Sequence, residues 1–319
     1  MYYHIGCENF PMNLKRNVLL IDTSCYIFAC YTGIVSWYRN EMSQIIDHAT
    51  IMTNKEFINK YTYMFKNILL KFQKRYNIPN YNVVIAKDCS RSSIWRNDIF
   101  PDYKKNRDDR SGNKFNACIF KYTYSTIIKA LNDNFGFKII EIERAEADDI
   151  IALCSKTIHS MNPNTNIYIV SNDKDYIQLV DNFTHVMDMK CIPLINSFTN
   201  NPQDYLMAKI ILGDKSDNIP PIARRIGKKR AISLINNPLE LDRLLKNDQV
   251  RQQYELNKML IDFSNIPNSL RSNIKHKFEE FTKYRSNNTI NTNNNRPYTV
   301  AVQPPRSNQY FLKSAGERW

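Results

Sequence analysis

Val18-Leu19-Leu20-Ile21-Asp22 is a short apolar run closed by a carboxylate, and the chain builds the same unit three more times. Val83-Val84-Ile85-Ala86-Lys87 runs into Asp88. Phe137-Lys138-Ile139-Ile140-Glu141-Ile142 leads shortly to Glu146, Asp148 and Asp149. Ile167-Tyr168-Ile169-Val170-Ser171 leads to Asp173 and Asp175. Short β-branched runs alternating with longer helical patterns read as buried parallel strands. The expected fold class is therefore α/β, a central, mostly parallel sheet flanked by helices. In such a sheet the ligand crevice lies beyond the carboxyl ends of the strands, so these acids should converge on one edge. Carboxylates packed that closely repel and stay partly protonated unless cations lie between them. Clustered oxygen donors suit Mg²⁺ or Mn²⁺.

Outward from the strands, Phe57, Tyr61, Met64, Phe65, Ile68 and Phe72 fall at helical spacing and read as a core-facing stripe. A further helix is expected over 122–134. Residues 91–121 interleave cations with rings: Arg91, Arg96, Lys104, Lys105, Arg107, Arg110, Lys114 and Lys121 beside Trp95, Phe100, Tyr103 and Phe115. Such a stretch can grip a single strand by phosphate contacts and base stacking; an ordinary charged loop fits it equally. Leu206 to Gly213 opens a helical part, and residues 286–319 begin Asn-rich and read as a poorly ordered tail. The expected division is 1–205, 206–285 and 286–319.

Composition bears on the partner. Lys and Arg number 44 against 31 Asp and Glu, a formal charge of +13, and the excess is heavier for its length after residue 205. An acidic cluster inside a basic protein suits a phosphodiester substrate, although a solvated lysine-rich surface would give the same count. Seven cysteines, an odd number without a Cys-x-x-Cys pair, point to a reducing, intracellular compartment. The five histidines are scattered, which argues against zinc. No stretch approaches the roughly 20 apolar residues of a membrane span.

Three motifs carry the chemistry. Ala145-Glu146-Ala147-Asp148-Asp149-Ile150 places acids in a first helical turn, where exposed N–H groups favour negative charge; a plain capping cluster is the alternative. Asp173-Lys174-Asp175 sets two acids around one residue just past a strand. Gly213-Asp214-Lys215-Ser216-Asp217-Asn218-Ile219-Pro220 is followed by Gly227-Lys228-Lys229-Arg230 and a helix over Ala231–Ile235, a good backbone-phosphate clamp.

These residues, with Pro101-Asp102-Tyr103-Lys104-Lys105-Asn106-Arg107, resemble the 5′-nuclease family of flap endonucleases and the nuclease domain of bacterial DNA polymerase I. The resemblance runs over roughly residues 16–285, with five dispersed motifs in family order. It is nearest to the phage replication ribonuclease H type, whose C-terminal region Leu260 to Pro267 also resembles. It implies a PIN-like core with an arch at about 91–121 and a helix–hairpin–helix-like C-terminal subdomain.

The implied activity is two-metal hydrolysis of phosphodiesters at 5′ ends or flaps, with RNA-primer removal in DNA replication or repair. A degradative 5′–3′ exoribonuclease would use the same residues. Asp22, Asp88, Glu146 and Asp148 would hold one Mg²⁺; Asp173, Asp175 and Asp214 would hold the other. Asp149 and Asp217 would act nearby or through water, and Mn²⁺ would substitute. Lys104, helped by Arg96 and Arg107, would neutralise charge at the scissile phosphate, and Tyr103 would stack on a terminal base beside Lys105. Arg224, Arg225, Gly227, Lys228, Lys229 and Arg230 would hold duplex backbone. The family hairpin carries Gly-Ile-Gly, whereas this chain reads Arg225-Ile226-Gly227, which leaves a K⁺ site there in doubt. The implied partners are DNA with a 5′ flap, nick or RNA primer, and a single-strand-binding protein or sliding clamp.

Overall fold

The computed structural model describes residues 10–43, 45, 47–107, 115–194, 199 and 201–283. The expected tail over 286–319 and the middle of the expected arch, 108–114, lie outside them.

Five strands form one parallel sheet: β1 (Val18–Asp22), β2 (Val83–Lys87), β3 (Lys138–Glu141), β4 (Ile167–Val170) and β5 (Thr184–Met187), in the order β3-β2-β1-β4-β5. The four expected strands are present. β5 is an addition, an edge strand whose Thr184-His185-Val186-Met187 lacks the continuous apolar run that marks the others. Strand order reverses beside β1, which pairs with β2 on one side and β4 on the other. The crevice of an open parallel sheet lies at such a reversal, and Asp22 stands on it.

Helices cover both faces. Val18, Leu20, Val84, Ala86, Ile167 and Ile169 pack with α6 (Ala147–Met161) and α11 (Asn268–Thr282). The alternate residues Leu19, Ile21, Val83 and Ile85 are equally buried and point to the other face. There α1 (Thr23–Glu41) and α2 (Lys55–Arg75) interlock through Tyr26 on Phe65 and Tyr31 on Phe57. Of the expected α2 stripe, Phe57, Tyr61, Phe65 and Phe72 are buried. The helix expected over 122–134 is longer: α4 (Cys118–Tyr122) and α5 (Lys129–Phe135) flank a π-helical turn over Thr123–Ile128.

A second apolar core lies among α7 (Pro202–Leu212), α8 (Lys228–Asn236), α9 (Pro238–Leu245) and α10 (Asp248–Ile261). Ile94 and Tyr103 enter this core from the basic segment, on either side of the short α3 (Arg96–Ile99). The described base of the expected arch is therefore packed inside the protein.

Candidate metal centre and the basic residues around it

Because all five strands point the same way, each following carboxylate lands on the same edge. Asp22 caps α1, accepting from the Cys25 N–H at 3.1 Å, Ser171 Oγ at 2.9 Å and the Tyr176 hydroxyl at 3.2 Å. Burial, with Asp88 beside it, raises the Asp22 carboxyl to about 6. Asp88 accepts from the Ala147 N–H at 2.7 Å, so the acid after β2 sits on the first turn of α6.

Glu146 and Asp149 form a reciprocal capping box at the start of α6, so the capping reading of this motif holds alongside any chemical one. Arg96, only 2 % exposed, lies directly behind them. Its Nη1 donates to Glu146 Oε2 at 3.0 Å and Asp149 Oδ2 at 3.1 Å, and its Nη2 to Asp149 Oδ1 at 2.9 Å. Trp95 Nε1 and the Glu146 N–H complete the shell of Asp149, which is fully buried. Asp149 is thus occupied by structural donors, whereas Asp148 has Arg96 no nearer than 3.8 Å. Burial holds the Asp148 carboxyl well above its usual range. Glu146 goes the other way: burial opposes its charge, but Lys104 and Arg96 prevail and lower it to about 2.

Lys104 ion-pairs with Glu146 and stands 3.7 Å from Asp217. Its φ of 56° is in the left-handed region, fixed by its N–H on the Asp217 carbonyl at 2.9 Å. Tyr103 donates to Glu146 at 3.0 Å and Asp217 at 3.2 Å, and Arg107 pairs with Asp217 at 2.5 Å. At 5 % exposure the Tyr103 ring offers no open face. The expected stacking on a base would require its turn to swing outward. Lys105 is the exposed member, paired with Asp102 at 3.1 Å.

Across the edge, Asp173 caps a 3₁₀ turn and accepts from the Asp175 N–H at 2.9 Å. Oxygens of Asp175, Asp214 and Asp217 lie within 4.8 Å of one another. Gly213 makes this possible: at φ 66° its missing Cβ would fall 2.4 Å from the Ile219 and Pro220 carbonyls, so the loop folds back on it. Lys209 on α7 bridges Asp175 and Asp214, a residue the sequence reading passed over; its only local signal is a cation inside an apolar helix. Burial and Asp173 still raise Asp175 to about 7, while Lys209 and the Ser216 donors outweigh burial at Asp214 and lower it.

The donors fit a divalent cation. They are carboxylate oxygens, and the buried Asp22 and the partly buried Asp148 and Asp175 titrate high facing like charges, which a cation would relieve.

The hairpin cations are apart from this cluster. Arg224, Arg225, Gly227, Lys228, Lys229 and Arg230 are exposed, and Arg230 reaches Glu240 at 2.8 Å. Helix α8 begins at Lys228, not Ala231, so these three cations occupy its first turn. Arg225, standing for the first family glycine, keeps a left-handed φ of 62°. The turn survives the substitution at the cost of roughly 1 kcal/mol of strain.

The family model of the 5′-3′ exonuclease N-terminal, resolvase-like domain matches residues 17–207. The 5′-3′ exonuclease of Buchnera aphidicola subsp. Baizongia pistaciae is 30% identical over 241 residues, covering 73% of this chain and 71% of that protein. DNA polymerase I of Lactococcus lactis subsp. cremoris is 27% identical over 260 residues, 78% of this chain; the chain spans 27% of that polymerase's length. In fold, it is similar to the bacteriophage T5 flap endonuclease solved with DNA and metal ions. That match has a TM-score of 0.58 and 17% identity, over 84% of this chain and 99% of the other. With the strand-end carboxylates in place and a family model matched across the whole sheet, the chain belongs to the 5′-3′ exonuclease family.

Proposed function

We propose that this chain is a Mg²⁺-dependent 5′-nuclease that cleaves phosphodiesters at 5′ ends or flaps of DNA, removing primers or flaps in replication or repair. One observation carries the reading: acids from five chain segments meet at one sheet edge, flanked by the partly buried ammonium groups of Lys104 and Lys209. Asp22, Asp88 and Asp148, with Glu146 behind them, would hold one ion; Asp173, Asp175, Asp214 and Asp217 would hold the other. Bound ions would activate a water and stabilise charge on the scissile phosphate. Around them, Lys104 is poised to exchange Glu146 for a phosphate oxygen. Arg96 is too deep to reach substrate and orients Glu146.

Duplex backbone falls to the hairpin. Three cations in the first turn of α8 oppose the helix dipole, an arrangement that disfavours the bare helix and suits a bound anion. A protein of similar fold, the T5 flap endonuclease, was solved with both DNA and metal ions.

The test is cleavage of 5′-labelled flap DNA, nicked duplex, RNA–DNA hybrid and single-stranded RNA, with Mg²⁺ or with EDTA. Mg²⁺-dependent release of short 5′ products from flap and nick is expected. Cleavage indifferent to EDTA would sink the metal reading, and preference for single-stranded RNA would make the chain an exoribonuclease.

A further inference from the structure

Helix α10 brings no carboxylate to the edge, yet its last turn touches three of the segments that do. Arg96 Nε donates to the Leu260 carbonyl at 2.9 Å while its guanidinium holds Glu146 and Asp149. Gln178 Nε2 donates to the Ile261 carbonyl at 3.2 Å and to the Asp175 carbonyl at 3.0 Å, and its Oε1 accepts the Phe263 N–H at 3.1 Å. One turn earlier, the fully buried Asn257 donates to the carbonyls of Ile210 and Pro220, each 2.9 Å away, on either side of the Asp214–Asp217 loop.

The last carbonyls of a helix have no partner within it and carry partial negative charge. Leu260 and Ile261 therefore offer rigid acceptors, and Arg96 and Gln178 take them. We propose that the Asn257–Ile261 turn sets the spacing of the carboxylate edge, with Gln178, Arg96 and Asn257 as positioning residues. Each fixes a different ligand-bearing segment to one helix end, so the two halves of the edge keep their distance before any ion arrives. This rests on the reading of the edge as a metal site. The turn would also link that edge to α7 and the hairpin behind it, since Asn257 reaches both ends of the loop between them.

The experiment uses the full chain and Mn²⁺ alone as probe, measured by calorimetry or by paramagnetic resonance of free Mn²⁺. Gln178→Met keeps the side-chain volume and removes its donor; Asn257→Ala is the second variant. Ile274→Val, a methyl removed from the core of α11, is the control for plain destabilisation. Mn²⁺ affinity should fall about 10- to 100-fold in both turn variants, as for other groups that orient metal ligands, with circular dichroism unchanged. On flap DNA, kcat should fall with KM within about twofold of wild type. Ile274→Val should lower Tm and leave Mn²⁺ affinity alone. Unchanged Mn²⁺ affinity in a folded variant, an equal loss in Ile274→Val, or failure of both turn variants to fold would each overturn the proposal. Wild-type protein that binds Mn²⁺ but cleaves no DNA would refute the nuclease reading and leave this one intact.

Discussion

Two basic segments that look alike on the page end in opposite circumstances. Between Arg96 and Arg107 the cations, Lys105 excepted, turn inward: Arg96 onto Glu146 and Asp149, Lys104 onto Glu146, and Arg107 onto Asp217. Between Arg224 and Arg230 they lie at the surface by the start of α8, with Arg230 on Glu240. A buried cation surrounded by acids is part of the fold, because removing it strands the acids in a poor dielectric. An exposed one contributes little to the fold, so a ligand can compete for it. Similar sequence texture thus divides into scaffolding and contact, and substitutions can test the division.

The largest effect is expected at the edge that the inward cations serve. Asp175→Asn keeps the shape of a proposed ligand whose carboxyl is already pushed up to about 7. Cleavage should fall roughly 10³-fold as several kcal/mol of metal-derived stabilisation are lost, with flap-DNA affinity equal or tighter. Near-normal turnover by the folded variant at limiting Mg²⁺ would remove Asp175 from the centre.

Arg96→Met should cost about 3–5 kcal/mol in a urea titration, since it leaves Asp149 charged, buried and short of donors. Adding Asp149→Asn should recover part of that loss. Arg224→Met, by contrast, should stay within about 0.5 kcal/mol of wild type. Equal costs at the two arginines would erase the distinction between the segments.

Lys104 sits between the two circumstances, partly buried yet at the rim of the acids. Lys104→Ala should slow cleavage about 10²-fold with a smaller change in substrate affinity, as for removal of a charge partner made in the transition state. Parallel losses in affinity and rate would mark it as a binding residue.

The smallest effect on the protein itself belongs to the hairpin. Neutralising Lys228, Lys229 and Arg230 together should leave Tm nearly unmoved. The slope of log affinity against log salt on duplex DNA should become shallower by roughly 0.9 per lost phosphate contact. An unchanged slope would mean that these cations make no phosphate contact.

What was legible in the chain was local. Apolar runs of four or five residues closed by acids are enough to place strands, because a parallel sheet buries both faces and forbids polar interruption. Common strand direction then brings Asp22, Asp88, Asp148, Asp173 and Asp175 to one edge. The need for glycine before Asp214 came only with the structure, where the Ile219 and Pro220 carbonyls stand 2.4 Å from the place its Cβ would take. The choice of partner was decided by the tertiary structure alone. Lys209, Gln178 and Asn257 lie in ordinary helical or turn sequence, and Arg96 meets the Leu260 carbonyl across 164 residues of chain. Tyr103 likewise reads as an exposed aromatic until the second core closes over its ring. Periodicity records which side of an element is buried, not which distant group will be buried against it. A carbonyl at a helix end, the acceptor Arg96 and Gln178 both use, is carried by every residue and so leaves no mark in the sequence.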